Sequence, residues 1–186
     1  ILEAILEPLA AMHQRRLVHG DLKTENVLLA RGEAAGDTRV VLVDFGTDRL
    51  RARGRSALHQ TGILAVYGSA KAMAPELVRG HIADPKSDVY AFGSLLYEVL
   101  TGKPTFGDRK TSLELALAHL TTNPVPPSEL APRGWVSSEL DEFVLELMQK
   151  EPSARPQDAR AILDVLGRLG RGLGTARGGQ GVSAYE

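Results

Sequence analysis

The apolar residues at the start of the chain follow a helical period. They recur at intervals of three and four positions: Ile1, Leu2, Ile5, Leu6, Leu9 and Met12. Such spacing places them on one face and predicts an amphipathic helix. The same reasoning predicts helices in four later stretches: Val89 to Leu100, Thr111 to Leu120, Ser138 to Gln149 and Gln157 to Leu169. Most of the chain is therefore predicted to be helical, with the strongly apolar helix from about Val89 in the middle of the core.

Two short apolar runs between the first and second predicted helices show a different pattern. Val27 to Leu29 and Val40 to Val43 are each too short for a helix. The glycines between them, Gly32 and Gly36, are typical of a turn. We therefore expect the two runs to pair as strands, and the predicted fold class is mainly α with a small β-hairpin element.

Two segments lack regular periodicity. Residues 47 to 73 are rich in Gly and Arg and are predicted to form a long loop, which in a compact domain usually has a function. Residues 170 to 186 are rich in Gly and have almost no large apolar side chain, so burial cannot offset the entropy lost on ordering them. We expect residues 1 to 169 to form one domain and residues 170 to 186 to be a flexible tail or linker.

The composition excludes several classes of protein. Lys and Arg together number 22 against 23 Asp and Glu, so bulk charge predicts no binding to nucleic acid. The chain has no Cys, which excludes disulfides and thiolate metal sites and favours a cytoplasmic location. Its apolar runs are much shorter than the roughly 20 residues that cross a bilayer. We therefore expect no membrane contact within this segment.

A polar cluster lies inside the otherwise apolar stretch LVHGDLKTENVLL, residues 17 to 29. It contains Asp21, Lys23 and Asn26, and Asp44 follows the second predicted strand. Carboxylate and amide oxygens on neighbouring loops suit Mg²⁺, which in turn binds nucleotide phosphates. Lys23 can stabilise the negative charge of a transferring phosphoryl group, and Asp21 can accept a hydroxyl proton. Together the four residues predict a phosphoryl-transfer site.

Five motifs resemble those of the eukaryotic-like protein kinases, in the order found in the large C-terminal lobe of that family. They are HGDLKTEN at 19 to 26, DFG at 44 to 46, APE at 74 to 76, SDVYAFG at 87 to 93 and EPSARP at 151 to 156. We call residues 19 to 26 the catalytic loop. The resemblance covers residues 1 to about 169. The motif sequences are most similar to those of bacterial serine/threonine kinases. It implies an enzyme that transfers the γ-phosphate of ATP to Ser or Thr hydroxyls of a protein substrate.

The resemblance also implies a role for each residue of the polar cluster. Asp21 is the expected proton acceptor, and Lys23 is expected both to act in catalysis and to contact the ATP phosphate. Asn26 and Asp44 are the expected Mg²⁺ ligands and bind ATP through the metal. A Lys two positions after the catalytic Asp is typical of serine/threonine kinases rather than tyrosine kinases.

Other residues of the motifs are implied to be structural. Glu76 and Arg155 are expected to form a buried ion pair, and Asp88 is expected to brace the backbone of the catalytic loop. His19 is expected to pack against Phe45 in the core. These three contacts are the structural test of the resemblance.

The resemblance leaves some parts of a kinase domain unaccounted for. The helical spacing of apolar residues is already under way at Ile1, the first residue of the chain. The chain does not contain the Gly-rich phosphate loop or the ATP-contacting Lys of the family's N-terminal lobe. We therefore expect a partial catalytic domain that binds ATP weakly on its own and exposes apolar surface where the other lobe docks.

Two alternative functions share this fold. A pseudokinase scaffold would keep the fold without catalysis, although intact Asp21, Asn26 and Asp44 argue against it. A small-molecule phosphotransferase of the aminoglycoside or choline kinase type commonly has the same His-Gly-Asp loop. Lys23 and the motifs at 74 to 76 and 87 to 93 favour a protein kinase instead.

Overall fold

The computed structural model describes residues 1–31, 38–45 and 70–177. The helices are α1 (Leu2–Gln14), α2 (Pro75–Val78), α3 (Pro85–Thr101), α4 (Ser112–Thr121), α5 (Ser138–Leu147) and α6 (Ala159–Arg177). The strands are β1 (Val27–Arg31) and β2 (Thr38–Leu42), which form a two-stranded antiparallel sheet. The prediction of a mainly helical chain with one small hairpin is confirmed.

Helix α3 lies at the centre of the core. Its N-terminus is fixed by a capping box. The Asp84 side chain accepts a hydrogen bond from the Ser87 N–H, and the Ser87 hydroxyl oxygen accepts one from the Asp84 N–H. Its C-terminus is closed by Gly102, whose φ of 68° is a left-handed conformation that glycine adopts without steric cost. Buried side chains occupy every side of its middle turns: Val89, Tyr90, Phe92, Leu95, Leu96 and Tyr97. A helix that is apolar all round must be covered on all sides, as the sequence predicted.

The other helices cover α3 from several directions. Helix α5 approaches so closely that a Cβ atom on Gly93 would lie 2.8 Å from the Leu147 Cβ atom. Real Cβ atoms do not come that close, so the glycine sets the distance between the two helices. Helix α1 packs against α6, and α6 also contacts α3. One apolar cluster therefore joins the two ends of the described chain.

The hairpin lies against the core through one part of its surface. Its register pairs Val27 with Leu42 and Leu29 with Val40, so residues 26 and 44 lie at the same end of the sheet. Val27, Val40 and Leu42 pack against the core cluster. Leu28 and Leu29 are 49% and 58% exposed. Because consecutive strand residues face opposite sides, β1 is uncovered on both of its faces.

Several boundaries differ from those predicted. Helix α3 begins at Pro85 rather than Val89 because Asp84 and Ser87 cap polar residues that the apolar pattern does not include. Helix α6 ends at Arg177, which lies inside the segment 170 to 186 that was predicted to be a flexible tail. The rest of that tail, residues 47 to 69 of the predicted loop and Gly46 of the DFG motif lie outside the described residues.

Candidate active site

The backbone of the catalytic loop is held by one buried carboxylate. Asp88, on α3, accepts hydrogen bonds from the His19 N–H at 2.8 Å and the Gly20 N–H at 2.9 Å. Gly20 has a φ of 77°, a left-handed conformation that glycine adopts easily. Any residue with a side chain would be strained in this conformation. The hydrogen bonds from the His19 and Gly20 N–H groups confirm the expectation that Asp88 braces the backbone of the catalytic loop. The first turn of α3 thereby fixes the residues immediately before Asp21.

A histidine that the sequence did not single out completes this arrangement. The His13 Nε2 atom lies 2.9 Å from Asp88 Oδ2, the oxygen that also accepts from the His19 N–H, and the Ala159 N–H donates to His13 Nδ1 at 3.2 Å. Since Nδ1 accepts, the proton belongs on Nε2 and points at Asp88. His13 therefore ties α1, α3 and the start of α6 to the catalytic loop. The available signal was its position, four residues after Leu9 on the apolar face of the first helix.

Replacing Asp88 by Asn is expected to lower the free energy of unfolding by about 1–3 kcal/mol. An amide provides one acceptor oxygen where the carboxylate serves three buried donors, and its NH₂ group faces at least one of them. The measurement is urea denaturation of a form of the protein that contains a whole kinase domain. Asp108→Asn, at an exposed position, is the matched control. A loss below about 0.5 kcal/mol, the usual size of a surface substitution effect, would contradict the bracing role.

Three residues of the predicted cluster are in contact. The Lys23 Nζ atom lies 2.8 Å from an Asp21 carboxylate oxygen, and both side chains are largely buried. The Asn26 amide nitrogen donates to the main-chain oxygen of Asp21 at 2.7 Å and lies 3.4 Å from its carboxylate. A short 3₁₀ turn at Thr24–Asn26 brings the chain back to make these contacts. The catalytic loop thus folds into a compact polar unit centred on Asp21.

The fourth residue, Asp44, reaches the same end of the hairpin by strand pairing. The Val43 N–H donates to the main-chain oxygen of Asn26 at 3.0 Å, so Asp44 follows directly after a residue bonded to Asn26. Asp44 is exposed and has a φ of 59°, a left-handed conformation that Asp tolerates better than most residues. This φ turns the chain away from the strand direction at the carboxylate. The hairpin therefore delivers Asn26 and Asp44 to a common edge.

The donor atoms at this edge suit magnesium. Because the Asn26 nitrogen is engaged by the Asp21 carbonyl, the amide oxygen is the atom left for a cation. An amide oxygen and a carboxylate are hard ligands, and Mg²⁺ usually binds one or two such groups together with phosphate and water. The described residues contain no group of three or more His, Cys, Asp or Glu side chains arranged for a metal. An amide oxygen and a carboxylate at one edge fit a cation that is shared with a phosphate.

A second set of contacts joins the catalytic loop to the segment before α2. Lys71 forms an ion pair with Glu25, one residue before Asn26. The side-chain hydrogen bond from Lys71 lowers the pKa of the Glu25 carboxyl, so the pair is ionised at neutral pH. On the other side of the loop, the Thr24 hydroxyl donates to Glu98 of α3 at 3.2 Å. The sequence did not indicate these contacts, which join residues far apart in the chain.

The APE and EPSARP motifs meet in a buried ion pair, as the resemblance implied. Two nitrogens of the Arg155 guanidinium each donate to a different Glu76 oxygen at 2.8 Å. The Ser87 hydroxyl donates to the same carboxylate at 2.8 Å. Burial is the largest single effect and would raise the pKa of Glu76, but the hydrogen bonds and charge of Arg155, together with the backbone bond and the bond from Ser87, outweigh it and the pKa is lowered. The expected ion pair is confirmed.

The expected packing of Phe45 is not observed. His19 is fully buried, and burial lowers its pKa, so the ring is neutral. Phe45, however, is 63% exposed. The chain turns at Asp44, so Phe45 does not continue the alternation that buries Val40 and Leu42. Within the described parts of the chain, His19 Nε2 has no hydrogen-bond partner.

The fold and these contacts agree with the comparison of the chain with known families. Residues 1–165 match the family model described as "Protein kinase domain". This match covers most of the chain, and the chain therefore belongs to the protein kinase family. No helix in the parts of the chain that the structure describes has the length and apolar character of a bilayer span.

The relatives are bacterial proteins named as serine/threonine kinases. The Probable serine/threonine-protein kinase PknB of Corynebacterium glutamicum is 37% identical over 175 residues, which are 92% of this chain and 26% of the relative. PknB of Mycobacterium tuberculosis is 38% identical over 161 residues, 86% of this chain and 24% of the relative. Serine/threonine-protein kinase pkn2 of Myxococcus xanthus is 33% identical over 186 residues, 100% of this chain and 22% of the relative. The chain thus spans about a quarter of the length of these curated relatives.

Proposed function

We propose that the chain supplies the catalytic and metal-binding residues of a protein serine/threonine kinase. The observation that carries this proposal is the junction of the catalytic loop with the hairpin. Asp21, Lys23 and Asn26 are in mutual contact, and the Val43–Asn26 backbone bond places Asp44 at their edge. A base, a cation and two oxygen ligands are the side chains that phosphoryl transfer requires. The names of the relatives support Ser and Thr as the acceptors.

Each residue has a distinct part in the proposed reaction. Asp21 orients the substrate hydroxyl and takes its proton as the oxygen attacks the γ-phosphorus of ATP. Lys23, already 2.8 Å from the Asp21 carboxylate, lies where it balances negative charge that develops on the transferring group. Asn26 and Asp44 would hold Mg²⁺, which supplies neutralisation of the ATP phosphates when bound. The oxygen-rich edge of the hairpin therefore serves ATP, and the Asp21 side serves the protein substrate.

The exposed hairpin supports the presence of a second lobe outside these residues. Leu28 and Leu29 on β1 and Phe45, directly after Asp44, expose large apolar side chains. Apolar surface of this kind commonly marks a contact with another part of a protein. We propose that an N-terminal kinase lobe covers it and completes the ATP site. The relatives are about four times longer than this chain, which leaves room for such a lobe.

The alternatives differ from this proposal at identifiable places. A small-molecule phosphotransferase does not need the Glu76–Arg155 ion pair or the Asp88 brace, both of which are formed here. A pseudokinase would share every structural contact described above. Only a measurement of phosphoryl transfer separates a scaffold from an enzyme.

The test is transfer of labelled phosphate from ATP to a protein substrate by a form of the protein that contains both lobes. We expect the wild-type protein to label Ser or Thr in a Mg²⁺-dependent reaction. Asp44→Asn is expected to lower the rate at least 100-fold, because an amide is a poor replacement for a carboxylate ligand of Mg²⁺. Asp108→Asn removes an exposed carboxylate elsewhere and should leave the rate unchanged. Equal labelling by the wild-type and Asp44→Asn proteins would favour the scaffold.

A further inference from the structure

The main-chain oxygen of Lys71 is held by two side chains from the core. His13 and Asp88 brace the catalytic loop, but this second tether involves other residues. The His119 Nε2 atom lies 2.9 Å from the Lys71 oxygen, and the Ser94 hydroxyl donates to the same oxygen at 3.2 Å. Lys71 lies in a short 3₁₀ turn, Ala70–Ala72, directly before the APE motif. The core thus fixes the backbone of a segment that is otherwise outside regular structure.

The hydrogen bonds around His119 define its tautomer. A carbonyl oxygen can only accept, so the proton of the ring must be on Nε2. The Nδ1 atom, 2.9 Å from the Tyr90 hydroxyl, is then the acceptor of that O–H group. Lys150 in turn donates to the Tyr90 oxygen at 3.2 Å and to the main-chain oxygen of His119 at 3.0 Å. Donors therefore run in one direction, from Lys150 through Tyr90 and His119 to the Lys71 carbonyl.

The surroundings keep His119 neutral and immobile. The residue is fully buried, and burial lowers its pKa to about 4. Burial is the main cause of this shift, and the charge of the Lys150 ammonium group acts in the same direction. The Phe106 ring packs edge-on with its centroid 4.9 Å from that of His119, and the Tyr90 ring packs at 5.6 Å. A ring held on both sides keeps its N–H aimed at one acceptor.

The tethered segment contacts the catalytic loop, which carries Asp21, the proposed base for the protein substrate. The Lys71 side chain pairs with Glu25, which belongs to the catalytic loop and is close in sequence to Asp21. Movement of the segment would therefore disturb the catalytic loop at Glu25, between Asp21 and Asn26.

We propose that His119 is a positioning residue for the protein substrate, because it holds the Lys71 carbonyl and with it the segment 70–72. The inference rests on the proposed kinase function, and it adds a residue that touches neither ATP nor the substrate. His119 acts through the backbone of the segment. Tyr90 supports it by fixing the tautomer of the ring.

The experiment compares steady-state kinetics of variants in a form of the protein with both kinase lobes. His119→Ala is expected to raise the KM for a peptide substrate about tenfold, the effect of losing one net hydrogen bond to a positioned segment. The KM for ATP should change less than twofold. His119→Gln is expected to recover most of the loss, because its side-chain amide can donate to the same carbonyl. Tyr90→Phe should fall between the wild type and His119→Ala, because the ring keeps its place but loses the bond that selects its tautomer.

Two controls separate positioning from packing. Phe106→Leu removes the ring that packs on His119 but leaves the bond to Lys71, and Thr121→Ala alters an exposed hydroxyl on the same helix. Both should leave the ratio of the two KM values at its wild-type value. An equal rise in both KM values for His119→Ala, or no recovery in His119→Gln, would overturn the proposal.

Backbone amide hydrogen exchange tests the tether independently of any measurement of kinase activity. Exchange at residues 70 to 74 is expected to be at least tenfold faster in His119→Ala than in the wild type, and near the wild-type rate in His119→Gln. Unchanged exchange in His119→Ala would overturn the tether even if the protein is an active kinase. A wild-type protein that transfers no phosphate but shows the faster exchange in the variant would reject the kinase function and keep the tether.

Discussion

Replacing Asp21 by Asn is expected to lower kcat for phosphoryl transfer by about 100- to 10,000-fold, the usual contribution of a general base. An amide cannot accept the hydroxyl proton at neutral pH. The structure explains why this substitution should leave the site in place. Asn26 donates to the main-chain oxygen of residue 21 and not mainly to its carboxylate, and an Asn side chain keeps an oxygen for Lys23. The loss should therefore be chemical and not structural.

The measurement is kcat and the KM for ATP of the Asp21→Asn protein with a peptide substrate. The KM for ATP should stay within about threefold of the wild-type value, because the proposed metal ligands, Asn26 and Asp44, are unchanged. Asp108→Asn serves again as the matched carboxylate-to-amide control at an exposed position. If Asp21→Asn keeps more than a tenth of the wild-type kcat, another group accepts the proton and the role assigned to Asp21 is wrong.

Replacing Glu76 by Gln is expected to lower the free energy of unfolding by about 3–5 kcal/mol, the cost of leaving one member of a buried ion pair without its counter-charge. The Arg155 side chain, which carries the counter-charge, is fully buried. It also donates to the main-chain oxygens of Gln149, Lys86 and Lys150 at 2.7, 2.8 and 3.1 Å. These bonds hold it in place, so it cannot move to water when the carboxylate is removed.

Urea denaturation measures this loss, and an exposed ion pair provides the control. Arg160 lies 3.6 Å from Asp164 on the surface of α6, so Arg160→Met should change the free energy of unfolding by less than about 1 kcal/mol. A similar small change in Glu76→Gln would show that the buried pair contributes little beyond its packing.

The same residue predicts a dependence of stability on pH. The pKa of Glu76 is lower in the folded chain than its ordinary value, so the stabilisation is fully present above that ordinary value. It is lost as the pH falls through the lowered folded pKa, because protonation then removes the charge facing Arg155. The Glu76→Gln protein should therefore lose less stability than the wild type over this acidic range.

The secondary structure was largely predictable because it depends on neighbours in the sequence. Apolar residues at intervals of three and four located the long helices, and two short apolar runs separated by glycines located the hairpin. Capping residues explain the remaining errors of a few positions. Thr111 and Glu114 form a capping box where a helix was predicted to start, whereas Asp84 and Ser87 start α3 before its apolar pattern begins.

The buried histidines show what local pattern does not contain. His13 and His119 have no ligand spacing in the sequence, yet both are buried and donate to oxygens far away in the chain. Each lies at an apolar position of a helix, which indicates burial but not the partner. Phe45 shows the opposite error, because an apolar residue in a motif was predicted to pack and is exposed here.

The sequence by itself determined the types of the elements and the chemistry of the site, since a base, a cation and oxygen ligands are identified by residue type and short spacing. Only the tertiary structure decided which groups meet. Strand register sets Asn26 beside Val43, and helix packing sets Asp88 under the catalytic loop and His119 against Lys71. These contacts span many residues of chain and depend on the summed packing of the core. A periodicity of three or four residues carries no information about such distant partners.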